Sequence, residues 1–496
     1  MASFEELLYF SILLGSVGLG WVVAYLPPGD SRRWFSTGVG FFLITAFCGL
    51  GAIHAYITIL VNALIITKVR DCHKWSMAFT FAYLAFFRSV QFFGLPDTHE
   101  FCNAVQLILT LKVIGIAFEV NDTVLRRKGL APFKNSSPAV TPMNNYSNVA
   151  PSALDVVHYS LGFIGLMTGP YYKYKTYDDM VQSTAASIQP RVRLAAQRLK
   201  MLPVYVTGFL LMSTAFSQSK MWDPEFLNET SLGWRILYLV GLFLYFRLKF
   251  YIAWVLAESS CIMAGLGVYP VVCKPKPGQG PTEPEKLPLT VDSTTEYNYD
   301  TIYNINEYDV ELVPTVRGAM KAWNMTVQYW LAWHIYRRVP IKSIRTIVVM
   351  FVSAYWHGLH GGYYVGLLTV PLMLAAEDWV PRDAPRWGKF LNWFIRMRAF
   401  EYMSVGFMCL TYSRTMGYWS SIYFVGHVIA VLFVVGGNLY KKSTGRRKAA
   451  SSDTPTVVTH AEGTENGHSH SNGQKHHSHH THAANGDASK THDHHE

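Results

Sequence analysis

Apolar residues fall into runs near 7–27, 36–67, 76–95, 102–120, 154–172, 201–217, 232–270, 346–376, 400–417 and 419–440, some of them holding isolated charges. One bilayer crossing needs roughly 20 apolar helical residues, so the pattern predicts an all-α, polytopic membrane helix bundle of about 10–12 segments. The runs 36–67, 232–270 and 346–376 exceed a single crossing. Each is read as a pair of helices or as one helix broken within the membrane. The first run follows Met-Ala-Ser-Phe-Glu-Glu, which lacks the basic segment of a cleaved signal peptide, and is expected to persist as a spanning helix.

Between the runs, 121–153 and 271–300 carry Asn, Ser, Pro and Gly clusters and read as loops. Neither is long enough for a soluble catalytic domain, so any chemistry belongs inside the bundle. The expected boundary of that bundle is 1–440. Beyond it, Lys441, Lys442, Arg446, Arg447 and Lys448 follow the last run directly and put that end in the cytosol. The remainder of 441–496 is Ser, Thr, Asn, Gly and His, which cannot bury enough surface to fold, so a disordered tail, basic and then His-rich, is expected. Its histidines, among them His476, His477, His479 and His480, also suit metal binding by composition, but a tail with no metal role is the preferred reading.

Composition sharpens this picture. Only 15% of residues are charged, against about a quarter in soluble domains. The net charge of +10 gathers in short inter-run segments such as Arg126-Arg127-Lys128 and 191–200. That is the positive-inside bias of cytosolic loops, and no soluble domain remains to bind nucleic acid. Cys48, Cys72, Cys102, Cys261, Cys273 and Cys409 show no paired spacing and read as small buried hydrophobes. No internal repeat is apparent, which counts against a transporter built from duplicated halves.

Three groups of polar residues sit inside apolar sequence. The first is Ser353-Ala354-Tyr355-Trp356-His357-Gly358-Leu359-His360-Gly361-Gly362. His357 lies twelve residues after Arg345, about 18 Å if helical, and an ionisable residue at such depth marks a functional site by default. Its readings are a satisfied core histidine, a metal pair with His360 for which no acidic or cysteine partner is near, or a neutral imidazole acting as general base. The second is Asn324 in Trp323-Asn324-Met325-Thr326. Met320, Trp323, Val327, Trp330 and Leu331 recur at helical spacing, which predicts one helix over 316–334 with the Asn324 amide along an apolar surface. A helix–helix hydrogen bond is the plainer alternative. A glycosylation sequon is disfavoured, the same pattern recurring at Asn121, Asn135, Asn145 and Asn228. The third is Arg247, Lys249 and Glu258, read as lining a polar cavity or marking a helix–helix interface.

Tyr-Trp-His-Gly at 355–358, preceded by the Asn of Trp-Asn-Met-Thr, resembles the membrane-bound O-acyltransferase family. The runs Asn103–Leu107, Met167–Tyr171, Phe250–Trp254, Arg396–Ala399 and Tyr418–Phe424 resemble its lysophosphatidylinositol acyltransferase branch, and the likeness covers roughly residues 5–450. It implies that His357 and Asn324 are the catalytic pair. It further implies transfer of a polyunsaturated acyl group such as arachidonoyl from acyl-CoA to the sn-2 hydroxyl of lysophosphatidylinositol, as part of phospholipid remodelling. The expected partners are therefore lysophospholipid, acyl-CoA and membrane lipid, in the endoplasmic reticulum or another endomembrane. Acyl-CoA would be a co-substrate, with no further cofactor and no metal.

General-base catalysis is worth about 10²–10⁴-fold, and an amide N–H from Asn324 would serve the thioester oxygen or orient the hydroxyl. No Ser or Cys nucleophile is needed for direct transfer. Lys173 and Lys175 are candidates to meet a phosphate, although interfacial lysines are common. Rival readings are an acyltransferase for another lysophospholipid or for a protein substrate, a non-catalytic lipid-binding protein, and a metal transporter, which should show intramembrane Asp/His pairs that are not seen. The His-rich tail departs from the family pattern. Truncation after Lys448 is therefore expected to leave acyl transfer by purified protein nearly unchanged; loss of most activity, or a zinc-dependent rate, would contradict that.

Overall fold

The computed structural model describes residues 4–96, 98, 100–130, 148–183, 190–287, 294–381 and 385–444. The tail expected from residue 441 on lies outside these residues beyond Thr444, as do Asn135 and Asn145 of the polar stretch after residue 120. The described chain is overwhelmingly helical, as the apolar pattern demands. Four helices begin it: α1 (Phe4–Tyr25), α2 (Asp30–Cys48), α3 (Ala52–Lys68) and α4 (Cys72–Arg88). α5 (Glu100–Arg127) is followed by the short helices α6 (Ala153–Leu161), α7 (Tyr174–Gln182) and α8 (Arg191–Leu199). Then come α9 (Leu202–Ala215), α10 (Pro224–Glu229) and the 33-residue α11 (Leu232–Ala264). α12 (Glu307–Leu312), α13 (Val316–Ala322), α14 (Met325–His334), α15 (Arg345–His357) and α16 (Gly361–Glu377) follow. α17 (Arg386–Cys409), α18 (Tyr412–Ser421) and α19 (Val425–Thr444) complete the described chain.

Among the described residues, four helical stretches are long and apolar enough to cross a membrane alone: α1, α2 with α3, α5 and α11. α18 and α19 pass the same test together, bent by 73° at a short break, the form of a broken span or a re-entrant loop. The long runs resolve differently from one another. Run 36–67 becomes α2 and α3, joined through a single 3₁₀ turn at Gly49–Gly51. Run 346–376 becomes α15 and α16, packed side by side. Run 232–270, expected to be paired or broken, is instead the one continuous helix α11, because its polar side chains find partners on other segments without any break in its own backbone.

Run 154–172 also departs from expectation. Only α6 is helical there, and residues 162–173 are irregular but almost wholly buried. Irregular backbone survives at membrane depth only when protein supplies its hydrogen bonds. Three tyrosines do so here. The Tyr9, Tyr159 and Tyr172 hydroxyls donate to the carbonyls of Met167 (3.2 Å), Tyr172 (2.5 Å) and Ile164 (2.6 Å). The polar stretch after residue 120 likewise starts inside α5 before leaving it. The stretch after residue 270 carries two short antiparallel pairs, β1 (Tyr269–Pro270) with β4 (Tyr297–Asn298) and β2 (Pro275–Lys276) with β3 (Gly280–Pro281).

α5 and α11 are the most buried long helices and form the centre. α1 lies along α11, where a Cβ at Gly20 would meet the Ser260 carbonyl at 2.6 Å and the Ser260 hydroxyl donates to the Ser16 carbonyl (2.8 Å). All six cysteines are buried and none is in a disulfide, in line with their reading as small hydrophobes.

Candidate functional site

His357 is the last residue of α15, and its position follows from how that helix ends. A helix C-terminus leaves carbonyls without partners, and here Arg88, at the end of α4, supplies them. Its guanidinium donates to the carbonyls of Tyr355 (2.8 Å), Trp356 (2.6 Å) and His357 (3.1 Å), and to the Asn103 side chain on α5 (3.2 Å). The Tyr355 hydroxyl ties the same turn to the Phe81 carbonyl (2.9 Å). The imidazole sits among the rings of Trp356, Phe407 and Tyr363, with centroids at 4.7, 4.9 and 5.8 Å. Gly358 is required for that enclosure, since a Cβ there would meet the Tyr363 ring at 2.5 Å. No described group hydrogen-bonds either ring nitrogen of His357. His360, by contrast, is exposed at the start of α16.

Asn324 is not on a continuous helix. It stands between α13 and α14 in the left-handed conformation (φ 50°, ψ 51°), which Asn tolerates better than most residues. The periodicity that predicted one helix over 316–334 is carried by the two helices on either side of this break. Tertiary hydrogen bonds decide the break. The Asn304 carbonyl accepts from the Met325 N–H (2.7 Å), and its side-chain oxygen accepts from the Thr326 hydroxyl (2.5 Å). Thr326 in turn accepts from the Tyr171 N–H (3.0 Å). The Gln328 amide donates to the carbonyls of Met320 and Trp323 across the break. No described group hydrogen-bonds the Asn324 amide.

The two segments make no hydrogen bond to each other through Asn324 and His357, yet both hang from α5. The Trp356 indole donates to the Leu107 carbonyl and the Trp330 indole to the Leu111 carbonyl, each at 3.0 Å. Those carbonyls are one helical turn apart, roughly 6 Å along the axis. α5 is thus a common ruler for α14 and α15.

The third polar group is structural, and each member has a partner on another segment. The Arg247 guanidinium grips Glu311 through two bonds (2.8 and 3.1 Å), and Lys249 meets Glu6 (2.6 Å). Glu258, fully buried, pairs with Arg198 and accepts from the N–H groups of Asn304 (2.8 Å) and Ile305 (3.2 Å). It therefore holds the Asn304 that holds the Asn324 turn. Lys175 is bound to Asp179 (2.7 Å), and Lys173 lies over the Tyr329 ring (5.4 Å), so Lys175 has its charge matched within the protein.

Arg88, Asn304 and Arg198 were not singled out from sequence. Arg88 carried the same signal as His357, an ionisable residue inside an apolar run. Asn304 carried none, because its role is to bond backbone groups that lie distant in sequence.

The family model described as membrane-bound O-acyltransferase matches residues 82–421, which include Arg88, Asn304, Asn324 and His357. Over 456 residues the chain is 39% identical to a membrane-bound acylglycerophosphatidylinositol O-acyltransferase of Danio rerio, covering 90% of this chain and 96% of the relative. The relative of the same description from Bos taurus is 40% identical over 442 residues, 86% and 92% of the two chains. That from Drosophila melanogaster is 32% identical over 469 residues, 90% and 94%.

The network around Glu258 makes a stability prediction. Glu258→Ala leaves Arg198 buried with Glu307 as its remaining carboxylate partner and frees two backbone N–H groups, so about 3–5 kcal/mol of stability should be lost. Lys249→Ala removes a half-exposed pair and should cost under about 1 kcal/mol. Thermal unfolding of both variants in one detergent checks the contrast; equal shifts would contradict it.

Proposed function

The chain belongs to the membrane-bound O-acyltransferase family, and on that premise we propose that it acylates lysophosphatidylinositol at the sn-2 hydroxyl, using acyl-CoA and favouring a polyunsaturated chain such as arachidonoyl. As a family member it is a membrane-bound acyltransferase. The observation that carries the acceptor is the likeness over about nine-tenths of both chains to relatives named for acylglycerophosphatidylinositol. The setting is remodelling of phospholipid in the endoplasmic reticulum or another endomembrane, with lipid drawn from the bilayer and the CoA ester from the cytosol.

Within this proposal His357 is the general base. Its neutral imidazole takes the proton of the acceptor hydroxyl as the oxygen attacks the thioester carbonyl. The new C–O bond forms, the C–S bond breaks, and the CoA thiolate leaves and recovers a proton. The Asn324 amide N–H serves the oxyanion or orients the attacking hydroxyl. Two features support these roles: the ring nitrogens and the amide are uncommitted, and both are held by anchored backbone. The aromatic enclosure of His357 also keeps water from competing for the acyl group. Arg88 is a positioning residue, since its guanidinium hydrogen-bonds the carbonyls that end α15 and the Asn103 side chain.

His357→Ala should lower single-turnover acyl transfer by at least about 10²-fold, and Asn324→Ala by a comparable factor of about 10²-fold. If both act in one transition state, the double variant should be far less impaired than the product of the two losses. Variants that elute like wild type from a sizing column provide the comparison. A well-folded His357→Ala enzyme with near-normal rates would return His357 to the status of a core histidine. Separately, lysophosphatidylinositol should outcompete lysophosphatidylcholine in a mixed-acceptor assay. Equal rates would remove the acceptor assignment and leave acyl transfer standing.

A further inference from the structure

An apolar cavity of about 680 Å³ opens between the first turns of α11, the start of α13, the second half of α16 and the first halves of α17 and α19. Its walls include Leu239, Met373, Ala376, Ile395, Ile429 and Ala430. Most of the charged and polar groups on the lining are already engaged. Glu377 accepts from the N–H groups of Val316 and Arg317, and Arg396 donates to the carbonyls of Val310, Glu311 and Val313. Arg398 pairs with Glu401, and the Asn392 amide donates to the Pro381 carbonyl. Lys389 alone among the charged lining residues is exposed and carries no ion pair among the described residues. It lies beside Trp387 and Phe390, which are 72% and 65% exposed, the arrangement of a helix end at a membrane–water interface.

The cavity does not lead to His357 along α16 and α17. It follows α17 from Lys389 to Tyr402, about 20 Å of helix. There Tyr402 stacks on Trp419 (5.1 Å) and meets His427 Nδ1 with its hydroxyl (2.5 Å). Beyond Tyr402, α16 and α17 touch backbone to backbone. A Cβ at Gly362 would lie 2.3 Å from the Leu410 carbonyl and 2.4 Å from that of Gly406, and one at Gly406 would lie 2.2 Å from the Gly362 carbonyl. This glycine seam stands between the cavity and Phe407, which packs on His357, and it leaves no width for a hydrocarbon chain.

A void this large in a membrane forfeits van der Waals contact on every wall, whereas protein interiors hold few voids larger than a water molecule. Its volume falls in the range of about 300–1,000 Å³ typical of ligand pockets. We propose that the cavity binds a bilayer diacyl phospholipid with an anionic head group, one acyl chain inside it and the phosphate at Lys389, as a lipid that is not a substrate. The apolar walls take the chain, and Lys389, the one uncommitted cation among the described lining residues, selects the charge at the interfacial mouth.

The test uses the full chain in nanodiscs of dioleoylphosphatidylcholine with a trace of photoactivatable phosphatidylglycerol. After irradiation, label is expected on peptides of α17 and α19. Ala430→Trp, which fills the cavity, should reduce that label at least fivefold. Lys389→Gln, an exposed replacement that carries the test alone if the first variant fails to fold, should reduce it about fivefold, the worth of one lysine near an anionic lipid. A phosphatidylcholine probe should label less, and excess acyl-CoA or lysophosphatidylinositol should leave the label unchanged. Displacement by either substrate would overturn the proposal by making the cavity part of the reaction path. Label indifferent to both substitutions, or equal for the two head groups, would overturn it as well. No outcome depends on acyl transfer, so the function proposed above stands or falls separately.

Discussion

Inside a bilayer a backbone amide has no water to bond, and irregular chain there is stable only if protein supplies every partner. In this molecule that requirement converges on the carboxylate of Glu258, fully buried on α11. It accepts from Arg198 and from two consecutive backbone N–H groups, those of Asn304 and Ile305. Arg198 completes the set by donating to Glu307 (3.1 Å) and to the Ile305 carbonyl (3.3 Å). Replacing a well-bonded buried ion pair with apolar groups is often neutral in stability, so tight packing alone does not account for this one. Its consequence is positional. Asn304, fixed by Glu258, presents its carbonyl to Met325 and its amide oxygen to Thr326. The left-handed turn at Asn324 exists because those bonds outweigh one more turn of helix.

The other candidate residue obeys the same logic with a different donor. α15 stops at His357, and its open carbonyls face Arg88 instead of lipid. A flexible helix end would let the imidazole wander by ångströms, and misplacement of about 1 Å can cost about 10²-fold in rate. Arg88 and the Trp356 indole remove that freedom, and α5 receives the anchors of both segments on adjacent turns. α5 can act as a ruler because it is enclosed nearly all round. Even Lys112 is buried, bonded to the Tyr159 carbonyl (3.2 Å) and lying over the Tyr172 ring (4.7 Å).

Legibility in the sequence divides along the same line. The membrane class, the helical content and the family were readable, and His357 and Asn324 could be named as candidates, because apolar runs and a short motif are local. The helix around Asn324 was misread because its apolar spacing continues on both sides of the break, while the bonds that cause the break come from residue 304. The run containing α6 was misread for a related reason. Hydrophobicity reports burial, and residues 162–173 are buried without being helical. α11 departed the other way, since the length of its run suggested a pair or a break where one continuous helix stands, its charged side chains met by Glu6, Arg198 and Glu311.

The glycines of α16 and α17 show how one packing choice divides the bundle into separate compartments. In lipid, helices gain little from apolar association alone, so close contact rests on small residues that let backbones approach. Gly362 and Gly406 allow that approach at one end of the pair, where the Gly362 N–H reaches the Leu410 carbonyl (2.6 Å). At the far end Met373, Glu377, Ile395 and Arg396 of the same two helices line the cavity. One helix pair therefore closes tightly beside His357 and splays open some four turns away. The tight end steadies the wall against which the imidazole packs, because Phe407 lies one residue beyond Gly406. The open end is free to accept lipid without altering that wall, since the seam between them has no slack through which a chain could pass.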